Sequence, residues 1–182
     1  MYTATMWSYL SGFPAVVFLL GPPLFLLLGV SPVRTWSGDF FWHLIPYLAV
    51  NQAIFLIVGW KRSTWRGQQY SLALFPLWIK AVTSALGNVV LHRRLGFVVT
   101  PKSRQTGNHL RLVWPQLTAI LLLLVAILTG LVRLALGLVA DPLPTAVNVT
   151  WGCYDLAVLS VVLQAALYDP SRHSGELEPM RV

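Results

Sequence analysis

Four long apolar runs alternate with short polar connections along this chain. The runs occupy residues 13–30, 40–60, 113–139 and 146–168. An α-helix crosses the hydrocarbon core of a bilayer with about 20 mostly apolar residues, and each run approaches or exceeds that length. The pattern therefore predicts four transmembrane helices. The Pro22-Pro23 pair in the first run predicts a kink, with neighbouring helices covering the carbonyls that proline leaves unpaired.

A shorter amphipathic segment lies between the second and third runs. Its apolar side chains recur at spacings of three and four residues, which places them on one face of a helix over residues 69–90. They are Leu72, Phe75, Ile79, Val82, Leu86 and Val89. Pro76 near the start of this helix is compatible with a first turn. A helix of this kind lies in the plane of the membrane interface rather than crossing it, and residues 91–112 follow it as a loop.

Composition agrees with a chain that faces lipid. Hydrophobic residues make up 56% of the sequence, charged residues 10%, and the mean hydropathy is +0.66. A soluble domain carries about 25% charged residues, so a soluble globular protein is excluded. The predicted fold class is an all-α membrane protein with about four transmembrane helices and one amphipathic interfacial helix. The single cysteine, Cys153, lies in an apolar run and indicates neither a disulfide nor a compartment.

Positive charge is concentrated in one part of the chain. Nine of the 13 Lys and Arg residues lie within residues 61–111, which contain no Asp or Glu, whereas the first external turn holds only Arg34. Basic residues near membrane helices favour the cytoplasmic side, so four crossings place both termini there as well. Between membrane helices such a segment meets anionic lipid headgroups or phosphates, and we expect no nucleic-acid partner.

Polar side chains inside the apolar runs have two interpretations each. Asn51 and Gln52 would be unfavourable against lipid, which indicates either a polar path or hydrogen bonds between helices. Arg133 and Asp155 lie at similar predicted depths in the third and fourth runs. We expect them to form a structural ion pair, with a proton relay as the functional alternative.

One motif in the basic segment resembles a known family. Phe97, Val99, Thr100 and Lys102 match the pattern F-x-V-T-x-K, between an amphipathic helix and a long spanning helix. This arrangement resembles the carboxy-terminal membrane region of bacterial cellulose synthases and related processive family 2 glycosyltransferases, in which the motif lies on a gating loop. The likeness extends to residues 69–80 and to residues 9–14, and it covers nearly all of the chain.

The resemblance implies roles for particular residues. The gating loop would swing over the active site when nucleotide-sugar binds, bringing Thr100 and Lys102 to the diphosphate. The alternative is a plain basic loop that binds lipid headgroups. The spanning helices would form part of a channel for the growing polysaccharide, lined by side chains such as Tyr47, Asn51 and Gln52. The family further implies the bacterial inner membrane.

The catalytic signatures of the family are missing from these residues. Neither D-x-D, which binds metal and nucleotide, nor Q-x-x-R-W occurs in the sequence. We therefore expect no catalytic residue, metal site or cofactor in this chain. Mg²⁺ and UDP-sugar would belong to a catalytic half supplied upstream or by another polypeptide. Two rival hypotheses stay open, namely an inactive remnant and a small non-catalytic membrane scaffold or transporter subunit.

Overall fold

A computed structural model describes residues 9–31, 38–59, 64–92 and 110–168. Within these ranges the regular secondary structure is entirely helical, as predicted. The α-helices are α1 (Gly12–Leu28), α2 (Gly38–Val58), α3 (Thr64–Ala73), α4 (Phe75–Leu91), α5 (Trp114–Ala135) and α6 (Pro142–Ala166). A single 3₁₀ turn, Leu110–Val113, leads into α5.

Two to three helical units of the described chain are long and apolar enough to cross a bilayer. Leu110–Ala135 and Pro142–Ala166 qualify individually, with 26 and 25 residues. The pair Trp65–Ala73 and Phe75–Leu91 qualifies only if it counts as one broken span, because it is bent by 47°. The four predicted runs all coincide with helices, namely α1, α2, α5 and α6. The described part of the chain is therefore all-helical with two to three candidate membrane-spanning helices, and the number of four crossings stays a prediction.

Helices α1, α5 and α6 pack against one another to form the core. Leu19, Leu123 and Leu159 meet there, one from each helix, and all three are at least 96% buried. Phe75, the first residue of α4, joins the same cluster. The apolar stripes of three distant segments thus converge on one core, to which the start of α4 is attached.

Glycines set the close approach of these three helices. A Cβ added at Gly21 would lie 2.8 Å from the Trp151 ring, and one at Gly130 would lie 2.7 Å from Leu26. Small residues let helix backbones approach closely, which is the usual basis of helix packing in membranes. Pro22, also fully buried, lies within α1, which remains one helix through the proline pair.

The amphipathic segment differs from the single interfacial helix predicted over residues 69–90. It begins earlier, at Thr64, and Leu74 divides it into α3 and α4. The break has a local cause, because Pro76 has no N–H to donate to Leu72 and its ring clashes with that carbonyl. Pro76 does lie in a first turn, as predicted, but that turn begins a second helix.

Helix α2 lies largely apart from the other described helices. Trp42 is 78% exposed and Tyr47 is 67% exposed, so most of this helix is covered by no described residue. A side-chain hydrogen bond of 3.4 Å joins Gln68 Nε2 on α3 to Gln52 Oε1 on α2. In a bilayer the uncovered faces of α2 would meet lipid or a further protein surface.

Candidate functional site

The candidate site is the junction of α3, α5 and α6. The segment containing the F-x-V-T-x-K motif lies between α4 and α5 in the sequence. We define this junction by Gln69, Ala73, Gln116 and Ala157. Gln116, in the first turn of α5, donates from Nε2 to the carbonyl oxygen of Ala73 at 2.9 Å. Ala73 is the last residue of α3, and the last four carbonyls of a helix lack partners within it. A side chain of α5 therefore caps the end of α3.

A second glutamine fixes α3 to α6. Gln69 Nε2 donates to the carbonyl oxygen of Ala157 at 3.1 Å, and Gln69 is only 3% exposed. Within the described part of the chain, Oε1 of Gln69 and Oε1 of Gln116 are both buried without a hydrogen-bond partner. Each amide thus uses its donor and leaves its acceptor unpaired, which gives the junction two buried acceptors.

The outer edge of α3 is held by an arginine and an aromatic pair. Arg66 Nη1 donates to Gln164 Oε1 on α6 at 2.9 Å. Trp65 and Tyr154 meet edge to face with ring centroids 6.2 Å apart. Arg66 belongs to the basic segment, so at least one cation of that segment contributes to helix docking.

The four predicted gating residues, Phe97, Val99, Thr100 and Lys102, lie outside the described residues. The described chain stops at His92 and resumes at Leu110. His92 adopts a left-handed conformation, φ 50°, and its N–H bonds the carbonyl of Gly87, which ends α4. The motif therefore lies in the connection between α4 and α5, in the predicted order of elements.

The proposed channel residues lie on α2. Tyr47 is exposed and Asn51 is partly buried, and they share a helix face with His43, which lies about one turn before Tyr47 and two turns before Asn51. Asp39, Phe40, His43, Leu44 and Tyr47 line a shallow depression there. Gln52 instead accepts the hydrogen bond from Gln68, so the interhelical alternative applies to that residue. Among the described residues, none covers most of Tyr47, which is 67% exposed.

The predicted ion pair between Arg133 and Asp155 is wrong. Arg133 lies in the last turn of α5 and donates from Nη1 to the carbonyl oxygen of Leu26 at 3.3 Å. Asp155 is fully buried in the middle of α6, and neither carboxylate oxygen has a hydrogen-bond partner in the described chain. The helices pack with Gly130 beside Val149, which leaves Arg133 near the α5–α6 turn and Asp155 several turns away.

Sequence reasoning missed two further polar groups on the same face of α6. Asn148 and Trp151 precede Asp155 by about two turns and one turn, and Asn148 is fully buried. Asn148 Nδ2 donates to the carbonyl oxygen of Pro144 at 2.9 Å, whereas Asn148 Oδ1 and Trp151 Nε1 have no partner in the described chain. Their spacing of seven and four residues from Asp155 could have indicated, from the sequence alone, that these polar groups share one face of a helix.

The described residues contain no group of three or more His, Cys, Asp or Glu side chains that could hold a metal ion. The chemistry of the junction is therefore hydrogen bonding between amides and backbone carbonyls, together with one arginine. No family model, curated protein or solved structure matches this chain.

Proposed function

We propose that this chain is the membrane-channel and gating-loop portion of a cellulose-synthase-like, UDP-forming glycosyltransferase. A catalytic half, upstream or on another polypeptide, would transfer sugar from a UDP-sugar to a polysaccharide that leaves through the membrane. We also propose that the chain lies in the bacterial inner membrane with both termini in the cytoplasm. The resemblance of Phe97, Val99, Thr100 and Lys102 to the gating motif is the starting point.

One structural observation carries the proposal beyond the motif. A hydrogen bond of 2.9 Å joins Ala73, the last residue of α3, to Gln116 in the first turn of α5. The two helices that precede and follow α4 and the motif-bearing connection in the sequence are thus fixed to each other at one buried junction. A connection whose flanking helices are fixed in this way suits a segment that acts on a neighbouring catalytic domain.

The chemistry of the motif fits contact with a nucleotide diphosphate. The Lys102 ammonium and the Thr100 hydroxyl are donors for phosphate oxygens, and Phe97 would exclude water above them. The Mg²⁺ and UDP-sugar of such an enzyme would be held by the catalytic half. On α2, the exposed Tyr47 supplies an aromatic surface and the partly buried Asn51 a hydrogen-bonding group, which together suit a sugar chain.

The test is polymer synthesis in membranes that contain this chain and its catalytic half. Thr100→Ala and Lys102→Ala are expected to lower incorporation of labelled UDP-glucose or UDP-N-acetylglucosamine roughly 10- to 100-fold, the effect of losing a charge-assisted hydrogen bond. Thr106→Ala removes a hydroxyl from the same connection outside the motif and serves as the matched control. Equal incorporation by the Thr100 and Thr106 variants would remove the gating role.

The alternative function is a small non-catalytic membrane scaffold or transporter subunit whose basic segment binds lipid headgroups. The concentration of Lys and Arg in residues 61–111, without Asp or Glu, favours it. Under this alternative the Thr100 and Lys102 variants leave synthesis unchanged. Charge-removing substitutions of Arg93 and Arg94 would instead weaken association with vesicles rich in phosphatidylglycerol. An inactive remnant would fail both assays.

A further inference from the structure

The bend between α3 and α4 leaves two carbonyls without their helical donors. In a continuous helix, residues 76 and 77 would donate to the carbonyls of Leu72 and Ala73. Pro76 has no N–H, and the N–H of Leu77 instead bonds the carbonyl of Leu74 at 2.9 Å. The break therefore removes the backbone donor that the Ala73 carbonyl would have in a continuous helix.

Gln116 supplies the replacement donor. Its amide lies 2.9 Å from the Ala73 oxygen, Ala73 is 5% exposed, and Gln116 is 9% exposed. A carbonyl buried this far from water is unfavourable without a partner. With the Gln116 amide in place, the Ala73 carbonyl has a donor while the N–H of Leu77 is used by Leu74, as the bent arrangement requires.

We infer that Gln116 is the positioning residue that holds the 47° bend and so sets the direction in which α4 leaves the bundle. The start of α4 is fixed independently against α1, because a Cβ at Gly12 would lie 2.9 Å from both the Phe75 oxygen and Trp78 Cβ. Ile79, in the second turn of α4, also packs against the core, whereas Leu86 and Val89 farther along are 56% and 72% exposed. The hydrogen bond of Gln116 holds the end of α3 on the other side of the break, and together with the packing of α4 on α1 it sets the angle between the two helices.

The functional role of this bend, which is to direct the start of the motif-bearing connection, rests on the proposed function. Helix α4 leads directly into the connection that contains Phe97 to Lys102, so its direction determines where that connection begins. The bend itself is a property of this chain alone. It is measurable without a catalytic half, so failure of the inference and failure of the proposed function are distinguishable.

The experiment measures the distance between spin labels at Val89 on α4 and Leu121 on α5, both exposed, in lipid nanodiscs. Cys153→Ser provides the cysteine-free background, because Cys153 is the only cysteine. Val89 lies about 21 Å along the helix from the bend, so a change of about 10° moves its label by about 4 Å. Gln116→Leu, which keeps the side-chain size and removes the amide, is expected to shift or broaden the distance distribution by this amount.

Asn148→Leu is the matched control. It also removes a buried amide that donates to a backbone carbonyl, but it acts within α6, away from the bend. It is expected to leave the Val89–Leu121 distribution unchanged. Gln116→Asn keeps the amide and shortens its reach, so a smaller shift in the same direction is expected even if Gln116→Leu fails to fold. An unshifted distribution in the Gln116 variants, or an equal shift in the Asn148 variant, overturns the inference.

Discussion

A single methyl group at Gly21 is expected to destabilise the three-helix core relative to the same group at Gly67. The added Cβ at Gly21 would lie 2.8 Å from Trp151 Cη2 and 3.2 Å from Cζ2 and Cζ3. These atoms belong to a rigid ring that also packs on Phe18, with ring centroids 4.8 Å apart. The ring or the helix has to move by about half an ångström to restore ordinary contact, in an interior that is already close-packed.

The magnitude follows from two opposing terms. Overpacking a filled core by one methyl group destabilises a protein by about 1–3 kcal/mol. Replacing glycine by alanine within a helix stabilises it by about 0.5–1 kcal/mol. Gly67, inside α3, has no atom of the described residues within 4 Å of an added Cβ, so only the second term applies there. Gly67→Ala should therefore raise the free energy of unfolding, and Gly21→Ala should lie about 1–3 kcal/mol below it.

The assay is reversible unfolding of the purified protein in detergent micelles by titration with sodium dodecyl sulfate, followed by circular dichroism. A double-mutant cycle with Trp151→Phe identifies the contact responsible, because phenylalanine lacks the three ring atoms near Gly21. The coupling between the two positions should be about 0.5–3 kcal/mol. The reasoning fails if Gly21→Ala and Gly67→Ala have equal free energies of unfolding, or if the penalty at Gly21 is independent of Trp151.

Two further predictions concern α6. Asp155→Val is expected to raise the free energy of unfolding by about 1–3 kcal/mol in the same titration, because it replaces a fully buried carboxyl without a described partner by an apolar side chain of similar size. A lower stability in that variant would show that the carboxyl has a stabilising partner. Asp141→Ala is expected to lower the free energy of unfolding by about 1 kcal/mol, because Asp141 Oδ1 accepts the N–H of Leu143 at 3.0 Å and caps α6. Asp141→Asn, which keeps an acceptor, should retain most of that stability, and equal losses in both variants would argue against the cap.

The absence of the predicted ion pair between Arg133 and Asp155 shows that a residue's position within an apolar run does not predict which residue of the neighbouring helix it contacts. The third apolar run ends at residue 139 and the fourth begins at residue 146, whereas α5 ends at Ala135 and α6 begins at Pro142. Arg133 is consequently close to a helix end, and Asp155 is far from the corresponding end of α6. The vertical register of α5 and α6 is set by contacts such as Gly130 with Leu26, and a hydropathy pattern contains no information about that register.

The candidate site likewise contains features that the sequence predicted and features that it did not. The F-x-V-T-x-K motif and the amphipathic helix before it were evident from residue identity and spacing. Gln69 and Gln116 gave no signal, because an isolated glutamine in an apolar context is compatible with many environments. Their roles depend on which carbonyls of other helices lie within about 3 Å, and that depends on the packing of segments more than 40 residues apart.

The sequence by itself determined the helical class, the positions of the long helices, the proline in the first turn of α4 and the concentration of positive charge. These features follow from local rules, since an apolar segment satisfies its own backbone hydrogen bonds only as a helix when it faces lipid. Only the tertiary structure decided the three-helix core, the separate position of α2, the partner of Arg133 and the hydrogen bond that holds the α3–α4 bend. These depend on surfaces that match in shape and polarity across the fold, and no single segment contains that match.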